Sequence, residues 1–333
     1  MATSDYDQQW LEVIQLENSF GSRPAFRGTV SDMHSQFAAV GQLIGPLFPS
    51  PDSSLTARDI TLESGLRVRT YTPKKSLTTA KNLPIGVYYH GGGFIMGNLE
   101  AEDADCRYFA QNTPCIIVAV DYRHAPEYDF NEILNDALEG LVLNKLSDTK
   151  SLSWNGAEEL GGKQHCVFPI GASAGGCLAL AVTNSLILSG LRSRIRGVVA
   201  LCPISAHPES IPKDYQGMYT SHLENAKDVP IINKQALEVF FNAAQLNPLD
   251  AKSFVTLSKC LKEFPKTWIV TCEKDPLRDD GVVLEKMLSA QDVVVRRKHY
   301  NGFGHCFWIF PQLAKREEFL GDVVHGIEFV LEN

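Results

Sequence analysis

The stretch "CVFPIGASAGGCLALAV", residues 166–182, holds a single serine among very small neighbours. Ser173 is flanked by Gly171 and Ala172 on one side and by Ala174, Gly175 and Gly176 on the other. A serine hydroxyl is a weak nucleophile at neutral pH. It becomes useful with a base in hydrogen-bond reach, a third group to orient that base, and donors for the oxyanion that forms. A Gly-x-Ser-x-Gly turn between strand and helix can present such a serine, because only tiny side chains fit so tight a bend. The strand-like "HCVFPI" precedes it and the helical "CLALAVTNSLIL" follows. The pentapeptide alone is equally compatible with a glycine-rich loop that lets a strand meet a helix, so the partners decide.

Three other stretches offer partners. "YYHGGGFIMGN", His90 to Asn98, places Gly91, Gly92 and Gly93 after an apolar strand, leaving backbone N–H groups bare for a developing negative oxygen. No Gly-Lys-Ser/Thr follows, which excludes a P-loop, and the GxGxxG spacing of a dinucleotide site is missing. His90 reads as a residue that holds this loop rather than as a base. "TCEKDPLRDDG" offers Asp275 as an orienting acid, with Glu273, Asp279 and Asp280 as competitors. "YNGFGHCFW" offers His305 as the base. Each follows the C-terminal end of an expected strand, the edge at which open α/β sheets bind ligands.

The elements that must position these groups are legible as a pattern. "ARDITLESGLRVRTYTP" alternates around Ser-Gly and predicts a β-hairpin. Apolar runs at 83–90, 115–122, 165–171, 195–202, 266–272 and 292–300 predict strands buried on both faces. Helical periodicity lies between them, the mark of a wound α/β sheet. Residues 1–50 read as helix, loop, helix, closed by "FPSPDSS". Residues 205–258 are too long for a simple crossover and read as an insertion with a helix at about 230–245.

Bulk properties exclude some classes. The 333 residues are 44% apolar and 21% charged, with a formal net charge of −8. An acidic chain is a poor fit for nucleic acid or for an anionic membrane surface. There is no basic start followed by an apolar core and no apolar run of about 18 residues, so neither secretion nor a membrane span is expected. A soluble cytoplasmic protein is the expectation, as monomer or homodimer. The valine-rich segment from residue 292 is a candidate edge strand that could pair with a second copy. The eight cysteines include no CxxC pair and read as small buried thiols.

With these motifs in hand, the chain resembles the α/β-hydrolases, in particular the hormone-sensitive lipase-like branch of esterases. The resemblance runs from about residue 65 to the C-terminus and rests on "HGGGF", "DYRHAPE", "GASAGG", "DPLRDDG" and "GFGH". It implies an eight-stranded, mostly parallel sheet flanked by helices, with a helical cap. Residues 1–50 and 205–258 fit the two parts of the cap, and 51–204 with 259–333 the catalytic core. It implies Ser173 as nucleophile, His305 as general base and Asp275 as orienting acid. Gly92, Gly93 and the Ala174 amide match the oxyanion hole, with Gly91 as a further contributor. Arg123, Pro126 and Glu127 match a structural segment. Two departures stand out: Ala172 where the family often has Asp, and His124 where it often has Leu.

The expected chemistry is cleavage of a small or medium, apolar carboxylic ester through an acyl-enzyme, with no metal or organic cofactor implied. One alternative keeps the fold and changes the reaction to lactonase, acyltransferase, cyclase or dehydratase chemistry on a specialised metabolite. Another is a non-catalytic ligand receptor, against which an intact Ser/Asp/His set argues. Phe94, Met96, Tyr215, Tyr219, Phe240, Phe241 and Trp308 are candidate pocket residues. Core packing is the plainer reading for any one of them.

Overall fold

In a computed structural model, residues 6–15, 25–74, 83–142 and 162–332 are described. One sheet organises them: β1 (Leu55–Thr61), β2 (Arg67–Pro73), β3 (Leu83–Tyr89), β4 (Ile116–Asp121), β5 (Gly162–Ala172), β6 (Gly197–Leu201), β7 (Lys266–Lys274) and β8 (Val295–Gly304). The strand order is β1-β2-β4-β3-β5-β6-β7-β8. The hairpin β1–β2 and the β2–β4 pair are antiparallel, and every later neighbour is parallel. The alternating segment thus forms the solvent-facing hairpin, while the continuous apolar runs of β3 to β7 form the covered strands; the run at 292–300, expected to be buried on both faces, is largely open because β8 has a neighbour on one side only. β6 is buried along its whole length. β8 is an edge strand, as its sequence suggests.

Helices cover both faces. We number them α1 (Gln8–Gln15), α2 (Val30–Ile44), α3 (Asp103–Asn112), α4 (Phe130–Val142), α5 (Ala174–Leu188), α6 (Ser221–Glu224), α7 (Lys234–Ala243), α8 (Arg278–Ser289) and α9 (Lys315–Leu331). α5 has almost no polar face, because the protein buries it on nearly all sides. α9 lies against β6 and β7, where Gly326 leaves room for the Trp268 ring. α2 begins at a capping box: the Thr29 hydroxyl accepts from the Asp32 amide, and the Asp32 carboxylate accepts from the Thr29 amide. None of the helices among the described residues is long and apolar enough to cross a membrane.

The insertion expected at 205–258 is fastened to α8 by two neighbouring acids. Asp280 accepts from the amides of Ser205 and Ala206 at 2.8 and 2.9 Å and from the Tyr219 hydroxyl at 2.8 Å. Asp279 accepts from the amides of Thr220 and Ser221, both at 2.7 Å. Both acids are buried, so their bonds replace water that is no longer there. Burial pushes the Asp280 carboxyl up to about 7, against the pull of its donors.

Truncating Asp280 to alanine strands two buried amides and a tyrosine hydroxyl. Asp280→Ala should lose about 1–3 kcal/mol for each group left unmet, less any relief by water, seen as a lower Tm. Asp280→Asn keeps an acceptor and should lose clearly less.

Candidate active site

The serine turn is built by forbidding side chains. Ser173 sits between β5 and α5 at φ 56°, a left-handed value that a non-glycine residue adopts only under constraint. A Cβ on Gly175 would lie 1.9 Å from the Tyr89 carbonyl oxygen, and one on Gly171 2.3 Å from the Gly175 oxygen. Neither position tolerates even a methyl group. The Ser173 amide is fixed to the Leu201 carbonyl at 2.8 Å.

Two loops from the same sheet edge complete a relay. His305 follows β8, and its Nε2 lies 2.9 Å from Ser173 Oγ. Its Nδ1 lies 2.7 Å from Asp275 Oδ2, just past β7. A carboxylate accepts only, so Nδ1 donates, which leaves Nε2 to accept from the serine hydroxyl. The other Asp275 oxygen accepts from the Leu277 amide at 2.8 Å. All three residues are buried. Burial disfavours the imidazolium of His305, yet the Asp275 charge and hydrogen bond outweigh it and raise the pKa above 6.5. Burial likewise raises the Asp275 carboxyl. Of the competitors, Glu273 accepts from the Gly302 amide instead, and Asp279 and Asp280 hold the insertion.

The glycine turn sits beside the serine. Gly92 (φ 119°) and Gly93 (φ 62°) both require glycine, and a Cβ on Gly92 would stand 2.0 Å from the Met96 carbonyl oxygen. The Gly92 carbonyl accepts from the amides of Ile95 and Met96, both at 3.1 Å. In a trans peptide this turns the Gly93 N–H the opposite way. The Gly91 carbonyl is 2.8 Å from His90 Nδ1, which by the same rule orients the Gly92 N–H. His90, stacked on Tyr122 with ring centroids 4.1 Å apart, thus holds the loop. The departure His124 packs edge-on against both rings. Gly91 differs from its neighbours: its amide donates to Glu102 Oε1 at 2.7 Å and is not spare for an oxyanion. This corrects its expected place among the donors.

A cavity of about 800 Å³ opens on Ser173 and His305. Of the candidate pocket residues it takes in Met96, Phe240 and Trp308. The others lie elsewhere. Phe94 is fully buried and packs edge-on against Phe130. Tyr215 and Tyr219 join a separate small cluster with Ile211 and Val283, and Phe241 packs on His207 and Phe254. Sequence could not tell which face of each short element turns inward. His207 and His222, also in the insertion, are partly buried. The aromatic wall comes instead from the N-terminal segment, through Phe26, Phe37 and Phe48, which sequence analysis did not single out. Asn225 is a further unannounced support, donating to the carbonyls of Glu273 and Asp275 at 3.1 and 3.0 Å.

Among the described residues, Cys202, Asp275 and His305 bring possible metal-donor atoms within 4.8 Å of one another. Two of the three already hold each other and the serine, so the set does not form a ready metal site. Six of the eight cysteines are buried, as small apolar groups would be.

The α/β hydrolase fold family profile matches residues 86–309. The chain belongs to that family. It is 32% identical over 332 residues to a versiconal hemiacetal acetate esterase of Dothistroma septosporum, covering 98% of this chain and 95% of that protein. A versiconal hemiacetal acetate esterase of Aspergillus parasiticus is 33% identical over 324 residues, covering 95% and 96%. The solved structure of the thermostable carboxylesterase EstE1, cloned from a metagenomic library, superposes with a TM-score of 0.78 at 27% identity, covering 92% of this chain and 99% of that one. The chain is a carboxylic ester hydrolase.

Because the serine turn depends on bare backbone, Gly175→Ala should fail despite alanine's better helix propensity. We expect a loss of about 3 kcal/mol or more, on the scale of severe overpacking, read as a fall in Tm and in soluble yield.

Proposed function

We propose that Ser173 is the nucleophile, His305 the general base and Asp275 the group that orients it. The observation that carries this reading is the unbroken relay of 2.7 and 2.9 Å from carboxylate through imidazole to hydroxyl. His305 Nε2 takes the Ser173 proton as Oγ attacks the ester carbonyl carbon. Asp275 stabilises the imidazolium. The amides of Gly92, Gly93 and Ala174 receive the oxyanion; loss of one such donor costs about 2.7–4 kcal/mol in comparable sites. Collapse expels the alcohol, which takes the proton from His305 and leaves an acylated serine. Water then attacks, again deprotonated by His305, and the acid and free serine result.

The substrate we propose is a short-chain ester, an acetate first, of a bulky ring-bearing alcohol. Two relatives are named for a hemiacetal acetate. The cavity, walled by Phe26, Phe37, Phe48, Phe240 and Trp308, suits a flat apolar ring system. We further propose that residues 1–50 and 205–258 act as a cap, since both contribute to that wall while the core contributes the relay.

Ser173→Ala should abolish p-nitrophenyl acetate hydrolysis, and a fluorophosphonate probe should label only the wild type. Turnover unchanged in the variant overturns the reading. Neutral His305 is the working form and its pKa is raised, so kcat/KM should fall on the acid side with a midpoint above about 6.5. An acid limb centred below that value contradicts the assignment.

A further inference from the structure

Glu102, just ahead of α3, is an acid in the cavity wall that the proposed chemistry does not use. A carboxylate facing a cavity usually reads as a substrate anchor, but both of these oxygens are held by the protein. Oε1 accepts from the Gly91 amide at 2.7 Å, and Oε2 accepts from the hydroxyl of Tyr88, a residue of β3. Tyr88 is itself buried, so this clamp is anchored in the sheet. The point where a Gly91 Cβ would stand lies 3.3 Å from Glu102 Oε1, 3.4 Å from the Ala172 carbonyl oxygen and 3.7 Å from Ser173 Cβ. Carboxyl, glycine turn and serine turn therefore meet around one point. Gly91 is gripped at both ends, its N–H by Glu102 and its carbonyl by His90.

We propose that Glu102 is the positioning residue of the glycine turn: through the Gly91 amide it holds the Gly92 and Gly93 N–H groups at the height of Ser173. This rests on the reading of those amides as oxyanion donors. The residue directly before the serine, Ala172, carries no polar side chain. Here the acid beside the serine comes from residue 102. Burial pushes its carboxyl up to about 7. A carboxyl that shares a proton near neutral pH sets less negative charge against a forming oxyanion than a bare carboxylate would. Its titratable neighbours are Tyr88, Tyr122, Cys106, Cys306 and Asp105, the last paired with Arg316.

Two conservative variants separate reach from charge. Glu102→Gln keeps an oxygen at the Gly91 amide, whereas Glu102→Asp keeps the charge and withdraws it by one methylene. With p-nitrophenyl acetate, Glu102→Asp and Glu102→Ala should lose about tenfold or more in kcat with KM within threefold, a fraction of the effect of deleting a donor outright. Glu102→Gln should rescue kcat to within about threefold of wild type. Affinity for a trifluoromethyl ketone, which adds to a serine and forms an oxyanion, should fall in parallel with kcat/KM across the series. Full activity in Glu102→Asp, or equal losses in Glu102→Gln and Glu102→Ala, overturns the proposal. Ketone affinity that stays constant while kcat falls does the same. Fluorophosphonate labelling of each variant keeps the outcome separate: a variant labelled at Ser173 retains the relay, and wild-type turnover surviving Ser173→Ala would count against the proposed mechanism, not against Glu102.

Discussion

The structure depends on the absence of side chains at one crossing of backbones. Gly171 and Gly175 let the serine turn press against the carbonyl of Tyr89 at the end of β3, which continues directly into the glycine turn. That single close approach sets Ser173 and the glycine turn, the proposed nucleophile and oxyanion donors, against each other. It also explains why Ser173 can persist at φ 56°: the strain is local, and the strand and helix that impose it are both buried in the main core. The parallel sheet then contributes its geometry. β5, β7 and β8 end at the same edge, so residues distant in sequence arrive within hydrogen-bond distance without a dedicated scaffold.

Electrostatics add to this frame without loosening it. A buried carboxylate and a buried imidazole each cost desolvation alone, and the hydrogen bond between them offsets part of that cost. The same economy appears three times on neighbouring elements. Asp275 faces His305, Asp279 and Asp280 face the amides of the insertion, and Glu102 faces the glycine turn. In each case an acid at a strand end or helix start accepts from N–H groups of another segment. The acids differ only in what they hold still.

Much of this was legible in the sequence, and the limits follow a physical line. The hairpin, the buried strands and the serine turn have local signatures, because period, turn residues and small neighbours act over a few positions. Asp275 and His305 could be picked out by their place after strands, although Asp279 and Asp280 were chemically equal competitors. Their separation needed the direction of α8, which only packing sets. Gly91 was assigned with its neighbours because three glycines look alike in sequence. Its amide is taken by an acid eleven positions on, at the start of another element. The aromatic wall differs for a related reason: Phe241 follows Phe240 on α7, but a helix gives adjacent residues different faces, and Tyr219 belongs to another segment packed in a separate cluster.

That wall also links the shape of the proposed substrate to the proposed chemistry. The N-terminal segment and the insertion are bonded to each other, Phe26 N–H to the Ile231 carbonyl at 2.8 Å. Each touches the glycine turn once. His34 Nε2 on α2 meets the Ile95 carbonyl at 2.6 Å, and the Phe240 ring occupies the space where a Gly93 side chain would be. A ring-bearing alcohol of the kind proposed would press on Phe240, which packs against the turn proposed to carry the oxyanion donors. Binding energy from the alcohol portion, remote from the reacting carbonyl, can then hold the donors in place in the transition state. A small ester reaches the same serine but leaves that wall unloaded. On the proposed function, discrimination between the two belongs in kcat as much as in KM, because Phe240 both lines the cavity and packs on the glycine turn.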